Sequence, residues 1–125
     1  MSKMLEVRGL YTSYGRIPML MNVDLDIDEG EVCCVLGANG AGKTTLVKAI
    51  LNMVRADQGT MSLAGECIDS WPTHQRVKNG IALSAAAAGT FQKMTVDTNL
   101  KMGAFYIDDP AVLCDRLEEI YCSFP

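Results

Sequence analysis

The sequence predicts an α/β protein: a core built around a glycine-rich loop, with an antiparallel β layer ahead of it. Three observations carry this. Val23-Asp24-Leu25-Asp26-Ile27-Asp28 alternates apolar and acidic residues with period two, the pattern of a half-buried strand. Val32-Cys33-Cys34-Val35-Leu36 is a continuous apolar run, which reads as a strand buried on both faces. A glycine-dense loop, Gly37-Ala38-Asn39-Gly40-Ala41-Gly42, then leads into apolar residues at helical spacing. Strands, a buried strand, a loop and a helix in that order belong to the α/β class.

The elements follow in order. Met4–Val7 is a short alternating run and reads as a strand. Glu29-Gly30-Glu31 turns the chain between the second strand and the apolar run. A helix is expected from Lys43, with Leu46, Val47, Ile50, Leu51 and Val54 on one buried face. Ala56-Asp57-Gln58-Gly59 ends it, and Thr60–Ala64 reads as a further strand. Pro72 suits the first turn of a short helix running to Lys78, with Asn79-Gly80 as its stop. Ile81-Ala82-Leu83 is a short strand candidate, and Asp115–Tyr121 is expected to be helical. There is no internal repeat.

Composition narrows the class. A chain of 125 residues is of single-domain size, and 49% apolar with 21% charged residues is ordinary globular usage. The net charge of −4 argues against a nucleic-acid surface. No apolar run has the length of a membrane span, and the N-terminus lacks the layout of a secretory signal. The cysteines, Cys33, Cys34, Cys67, Cys114 and Cys122, are odd in number and irregular in spacing. They are expected to be reduced thiols, several filling the core.

Residues 37–44, Gly-Ala-Asn-Gly-Ala-Gly-Lys-Thr, match G-x-x-x-x-G-K-[ST] in full, the phosphate-binding P-loop. Gly37, Gly40 and Gly42 permit backbone torsions that a Cβ would forbid and let amide N–H groups approach phosphates. The helix that starts near Lys43 points its partial positive charge at the same anion. Lys43 is expected to reach the β- and γ-phosphates, and the Thr44 hydroxyl to ligate Mg²⁺. A plain glycine turn would need no Lys-Thr at that offset.

At this point the sequence resembles the ATP-binding subunits of ABC transporters. The loop Gly-Ala-Asn-Gly-Ala-Gly-Lys-Thr-Thr is typical of them, as are the upstream Tyr14-Gly15 and Glu29-Gly30-Glu31. Asp69-Ser70-Trp71, Gly80-Ile81-Ala82, Phe91–Val96, Asn99-Leu100, Met102-Gly103-Ala104 and Glu118–Tyr121 resemble the second ATPase subunit of the branched-chain amino acid subfamily. The resemblance implies a P-loop NTPase (RecA-like) core behind an N-terminal antiparallel β layer. About 1–84 would be β layer and core, 85–96 the Q-loop region, and 97–125 the start of a helical subdomain. ATP and Mg²⁺ would be the cofactors. Gly37, Asn39, Gly40, Ala41, Gly42, Lys43, Thr44 and Thr45 would hold the phosphates, Thr44 the metal, and Tyr14 would stack on adenine, with Tyr11 the weaker candidate. The partners would be transmembrane permease subunits and a second ATP-binding subunit in a head-to-tail dimer. The place of work would be the cytoplasmic face of the membrane.

Two departures from the family pattern stand out. Ala85-Ala86-Ala87-Ala88 occupies the Q-loop position, where the subfamily usually has Pro-Glu-Gly-Arg. Four alanines offer no ligand, charge or turn former, and alanine favours helix. Gln92 is no substitute, because the family's residue aligns with Ala86. The chain also stops at Pro125, ahead of any signature motif, Walker B pair or switch histidine. The resemblance therefore implies binding without much turnover for these residues alone, since phosphoryl transfer depends on positioning and charge stabilisation. It also implies a core sheet completed by later strands, and hence exposed edges, apolar surface and self-association.

Other signals fail on their own terms. Asp24-x-Asp26-x-Asp28 begins like a calcium loop, but positions six and twelve hold Glu29 and Val35 instead of glycine and glutamate. The three aspartates read as one solvated strand face. His74 has no nucleophile to pair with. Met19, Met21, Met53 and Met61 read as core filling. Trp71 reads as the cap of a small cluster. A small-molecule kinase would bring an arginine-rich lid, whereas Arg8, Arg16, Arg55, Arg76 and Arg116 are scattered. A DNA-repair ATPase would bring a coiled-coil start, and none is present.

Overall fold

Val23, Leu25 and Ile27 turn toward the core while Asp24 and Asp26 face solvent, so the period-two pattern is realised as read. It lies in one of two long strands. The computed structural model describes residues 2–84 and 89–125. These divide into two compact units, Met1–Ile81 and Ala82–Pro125. The alanine tract at 85–88 lies outside the described residues.

In the first unit, β1 (Lys3–Tyr14) and β2 (Ile17–Asp28) form an antiparallel hairpin that turns at Gly15-Arg16. The other edge of β1 pairs with β3 (Gln58–Leu63), which pairs with β4 (Glu66–Cys67). The order is β2-β1-β3-β4, antiparallel throughout. β1 extends well past the expected Met4–Val7. Register shifts after Val7 break the strict alternation, so the rest of the strand carries no clean period-two signal. β3 crosses β1 closely at Gly59, where a Cβ would stand 2.7 Å from the carbonyl oxygens of Arg8 and Gly9.

One face of this sheet carries the core. Leu5, Val7, Leu10, Leu20 and Met61 from the strands pack with Ile68, and with Leu46 and Ala49 of the helix α1 (Lys43–Ile50). The opposite face is charged: Asp26 on β2 bonds both Lys3 and Arg8 on β1, and Arg8 also reaches Glu6. Asp24 accepts a hydrogen bond from the Gly9 amide at 2.6 Å. The aspartates thus cross-link the outer face of the hairpin, in keeping with a solvated strand face. The Thr12 side chain is 1% exposed, and its hydroxyl has no hydrogen-bond partner among the described residues.

α1 is shorter than its pattern implied. It stops at Ile50, and Asn52 takes φ +57°, the left-handed residue that commonly ends a helix. Val54 therefore lies beyond the helix. The short helix α2 (Thr73–Lys78) begins after Pro72, which takes the N-cap position, and ends at Asn79, close to expectation. Trp71 packs against the core cluster.

Four expectations are corrected. Residues 32–36 do not form a strand: Val32 is 95% and Leu36 85% exposed. A strand buried on both faces needs a hydrogen-bonding neighbour and packing on each face, and the described residues supply neither. Ile81-Ala82-Leu83 is likewise irregular. All five cysteines are exposed rather than core-filling: two sit in the unpaired 32–36 run, Cys67 in the edge strand, and Cys114 and Cys122 on a helix with no buried residue. Met61 is in the core, but Met21 and Met53 are exposed, one on the outer side of an edge strand and one in the turn after α1.

The second unit holds α3 (Val96–Gly103) and α4 (Pro110–Ser123), the latter containing the expected Asp115–Tyr121. α3 was not expected as a separate helix. Its signal is local: the Thr95 hydroxyl accepts from the Thr98 amide at 3.2 Å, and Asp97 sits in the first turn and pairs with Lys101. α4 starts at Pro110 with the Asp109 carboxylate accepting from the Ala111 amide at 2.8 Å. Asn99 gathers the preceding loop, receiving the Phe91 amide at 2.7 Å and donating to the carbonyls of Phe91, Met94 and Thr95. No helix among the described residues is long and apolar enough to cross a membrane.

Candidate phosphate-binding site

The site is built where the glycine loop enters α1. Gly42 is the N-cap, with φ +98°, and makes no side-chain cap. A Cβ there would meet Leu20 Cδ2 at 2.9 Å and the Met19 carbonyl oxygen at 3.0 Å. The loop therefore sits directly on β2, and only glycine satisfies both the torsion and the space. Gly40 also takes a left-handed torsion, φ +85°. The Ala41 amide closes a turn onto the Ala38 carbonyl at 3.1 Å, and the first helical bond runs from the Leu46 amide to Gly42 at 2.8 Å.

Two features suit this helix end to an anion. The first amides of α1 have no intrahelical acceptor, and the first turn holds no acidic residue to offset the positive end of the helix. Lys43 adds a cation at the same place. Its Nζ donates to the carbonyls of Gly37 at 2.6 Å and Ala38 at 2.8 Å, which folds the side chain back over the loop. Met19, Asn39, Gly40, Gly42, Lys43, Thr44 and Thr45 line a cavity of about 200 Å³. That is below the ~300–1,000 Å³ that encloses a whole small ligand. Lys43 is the one charged residue among those seven.

Of the residues read from the sequence, Asn39, Gly40, Gly42, Lys43, Thr44 and Thr45 come together on this cavity. Gly37 contributes through its carbonyl and Ala41 through the turn. Thr44 is exposed at the cavity, whereas Thr45 is buried beneath it. Tyr14 ends β1 at the hairpin turn, 47% exposed, and does not line the cavity; Tyr11 is 37% exposed on the same strand. The lining fits a magnesium-bound polyphosphate in its amides, ammonium and Thr44 hydroxyl.

Sequence reasoning missed two residues. Met19 reads as filler, yet its backbone seats Gly42. Arg76 read as one of several scattered arginines. It is 1% exposed and lies at the far end of α1. Its Nη1 donates to the carbonyls of Ala49 (3.2 Å) and Ile50 (2.7 Å), and its Nη2 to those of Ile68 (2.7 Å) and Asp69 (3.4 Å). Nε donates to Trp71 at 3.1 Å. Burial pushes its pKa down, partly offset by the nearby Asp69 and Cys67. No sequence pattern distinguishes a buried arginine from a surface one.

A glycine loop seated on β2, a helix N-terminus with no acidic residue and a lysine folded over it have the form of a P-loop. The family model for ABC transporters matches residues 20–121, so the chain belongs to that family. It is 36% identical over 122 residues to a probable branched-chain amino acid transport ATP-binding protein, LivF, of Archaeoglobus fulgidus, covering 98% of the chain and 51% of that relative. It is 32% identical over 120 residues to the high-affinity branched-chain amino acid transport ATP-binding protein BraG of Pseudomonas aeruginosa, covering 94% and 52%. The chain thus spans about half the length of the relatives it matches. Other relatives are named for lipopolysaccharide export and ferric-ion import. Among solved structures, an ATP-binding subunit of an ABC transporter superposes with a TM-score of 0.74 at 28% identity, over 86% of this chain and 45% of that one.

Proposed function

We propose that this chain forms the N-terminal part of the ATP-binding subunit of an ABC importer for branched-chain amino acids. The observation that carries the nucleotide reading is the α1 N-terminus: free amides, no acidic residue, and Lys43 over the loop. Gly37–Thr45 would cradle the phosphates, Lys43 would neutralise their charge, and the Thr44 hydroxyl would hold Mg²⁺. Tyr14 would stack on adenine. The cargo reading rests on the two relatives that cover nearly the whole chain. The importer would pair two such subunits head to tail beneath permease subunits, at the cytoplasmic face of the membrane. Residues 1–84 would form the β layer and core, 85–96 the Q-loop region, and 97–125 the start of the helical subdomain.

Calorimetry with MgATP tests the site. Wild type should bind, Lys43→Ala should not, and phosphate release should be slow in both. Equal binding by the two proteins would remove the P-loop from the mechanism. Uptake of leucine, ribose and putrescine by cells carrying Lys43→Ala in the full-length protein tests the cargo. Loss confined to leucine supports it, and loss of either other solute alone overturns it.

A further inference from the structure

We infer that Arg76 is a positioning residue for the phosphate site, acting through α1; this rests on the nucleotide reading above. α1 has eight residues, about 12 Å at 1.5 Å per residue, too short to hold itself in place. Its position is set at its ends and by Leu46 and Ala49 against the core. The N-terminal end rests on Met19 and Leu20 through Gly42. The C-terminal end rests on Arg76.

The fit of that contact is specific to arginine. A guanidinium has five N–H donors in a planar fork. Here five carbonyls receive them: Ala49 and Ile50 from α1, Ile68 and Asp69 after β4, and Trp71 ahead of α2. The cation is also placed where it complements the negative end of the helix. The same helix presents its positive end to the phosphate cavity. A shift of the C-terminal end would carry the Lys43, Thr44 and Thr45 amides with it, because the eight hydrogen-bonded residues, about two turns, move as one rigid rod. The α2 backbone joins this clamp as well, since the Ile81 amide donates to the Arg76 carbonyl at 3.1 Å.

A purely structural arginine would lower stability and leave affinity alone. The test compares MgATP affinity with stability on the full chain, in wild type, Lys43→Ala, Arg76→Met, Arg76→Lys and Val7→Ala. Val7 is 0% exposed in the sheet core and serves as a control for lost stability. All are measured at a temperature where circular dichroism shows the folded state. Arg76→Met and Arg76→Lys should each weaken MgATP about tenfold, within the range that remote positioning residues exert. Val7→Ala should lose stability without losing affinity. In wild type, MgATP should slow exchange of the Arg76 Nε–H, a readout that needs no substitution. Unchanged affinity in Arg76→Lys, equal weakening in Val7→Ala, or no change in Nε–H exchange would each overturn the inference. Wild type that binds no MgATP would instead overturn the nucleotide reading beneath it, and this inference with it.

Discussion

Gly42 and Leu20 stand so close that a methyl group does not fit between them: a Cβ on Gly42 would lie 2.9 Å from Leu20 Cδ2. The glycine loop ahead of α1 is thereby fixed to the β layer that precedes it. Gly42→Ala would also place a side chain at φ +98° and 3.0 Å from the Met19 carbonyl oxygen. Expected costs are about 1–3 kcal/mol for the strained torsion, together with loss of MgATP binding. Urea unfolding and calorimetry check this, and wild-type values for both would contradict the seating.

Thr12 offers the opposite outcome. Its hydroxyl is buried without a partner among the described residues. Thr12→Val keeps the shape and removes the polar group, so it should stabilise the fold by about 1 kcal/mol. A destabilised variant in urea unfolding would reveal an acceptor that the structure does not show.

The outer face of the hairpin should be acid-sensitive. Hydrogen bonds from Arg8 and Lys3 lower the Asp26 pKa from 3.8 to about 2. A carboxylate lowered on folding stabilises above its unfolded value, and that stabilisation is lost as pH falls through the folded value. The window is therefore from about 4 down to about 2. Asp26→Asn should flatten this part of the stability profile, and added salt should weaken the effect in wild type because the groups are exposed. Parallel profiles for the two proteins would deny Asp26 the role.

In the second unit, Asn99 organises residues 91–95 with both ends of its amide. Asn99→Ala should release the Phe91 amide to fast hydrogen exchange and cost about 1 kcal/mol or more. Asn99→Asp keeps the acceptor and should retain the Phe91 protection while losing the three donated bonds. Identical exchange in all three proteins would show that the loop holds itself.

The sequence alone determined the P-loop motif and the elements whose signals are local. The P-loop residues, the alternation at Val23–Asp28, the Pro72 helix start and the Asn79 stop all depend on the near neighbours of each residue, and each was legible. Tertiary structure decided what depends on distant partners. The apolar run 32–36 looks like a buried strand, but burial requires neighbours that the described residues do not provide. The early end of α1 was only faintly written, in an asparagine able to take a left-handed torsion. Arg76 was invisible, because its role is set by five carbonyls from two segments distant in sequence, 49–50 and 68–71. A residue's type is local information. Its burial and its partners are properties of the folded chain, because they depend on which other backbone groups the fold brings within hydrogen-bonding distance.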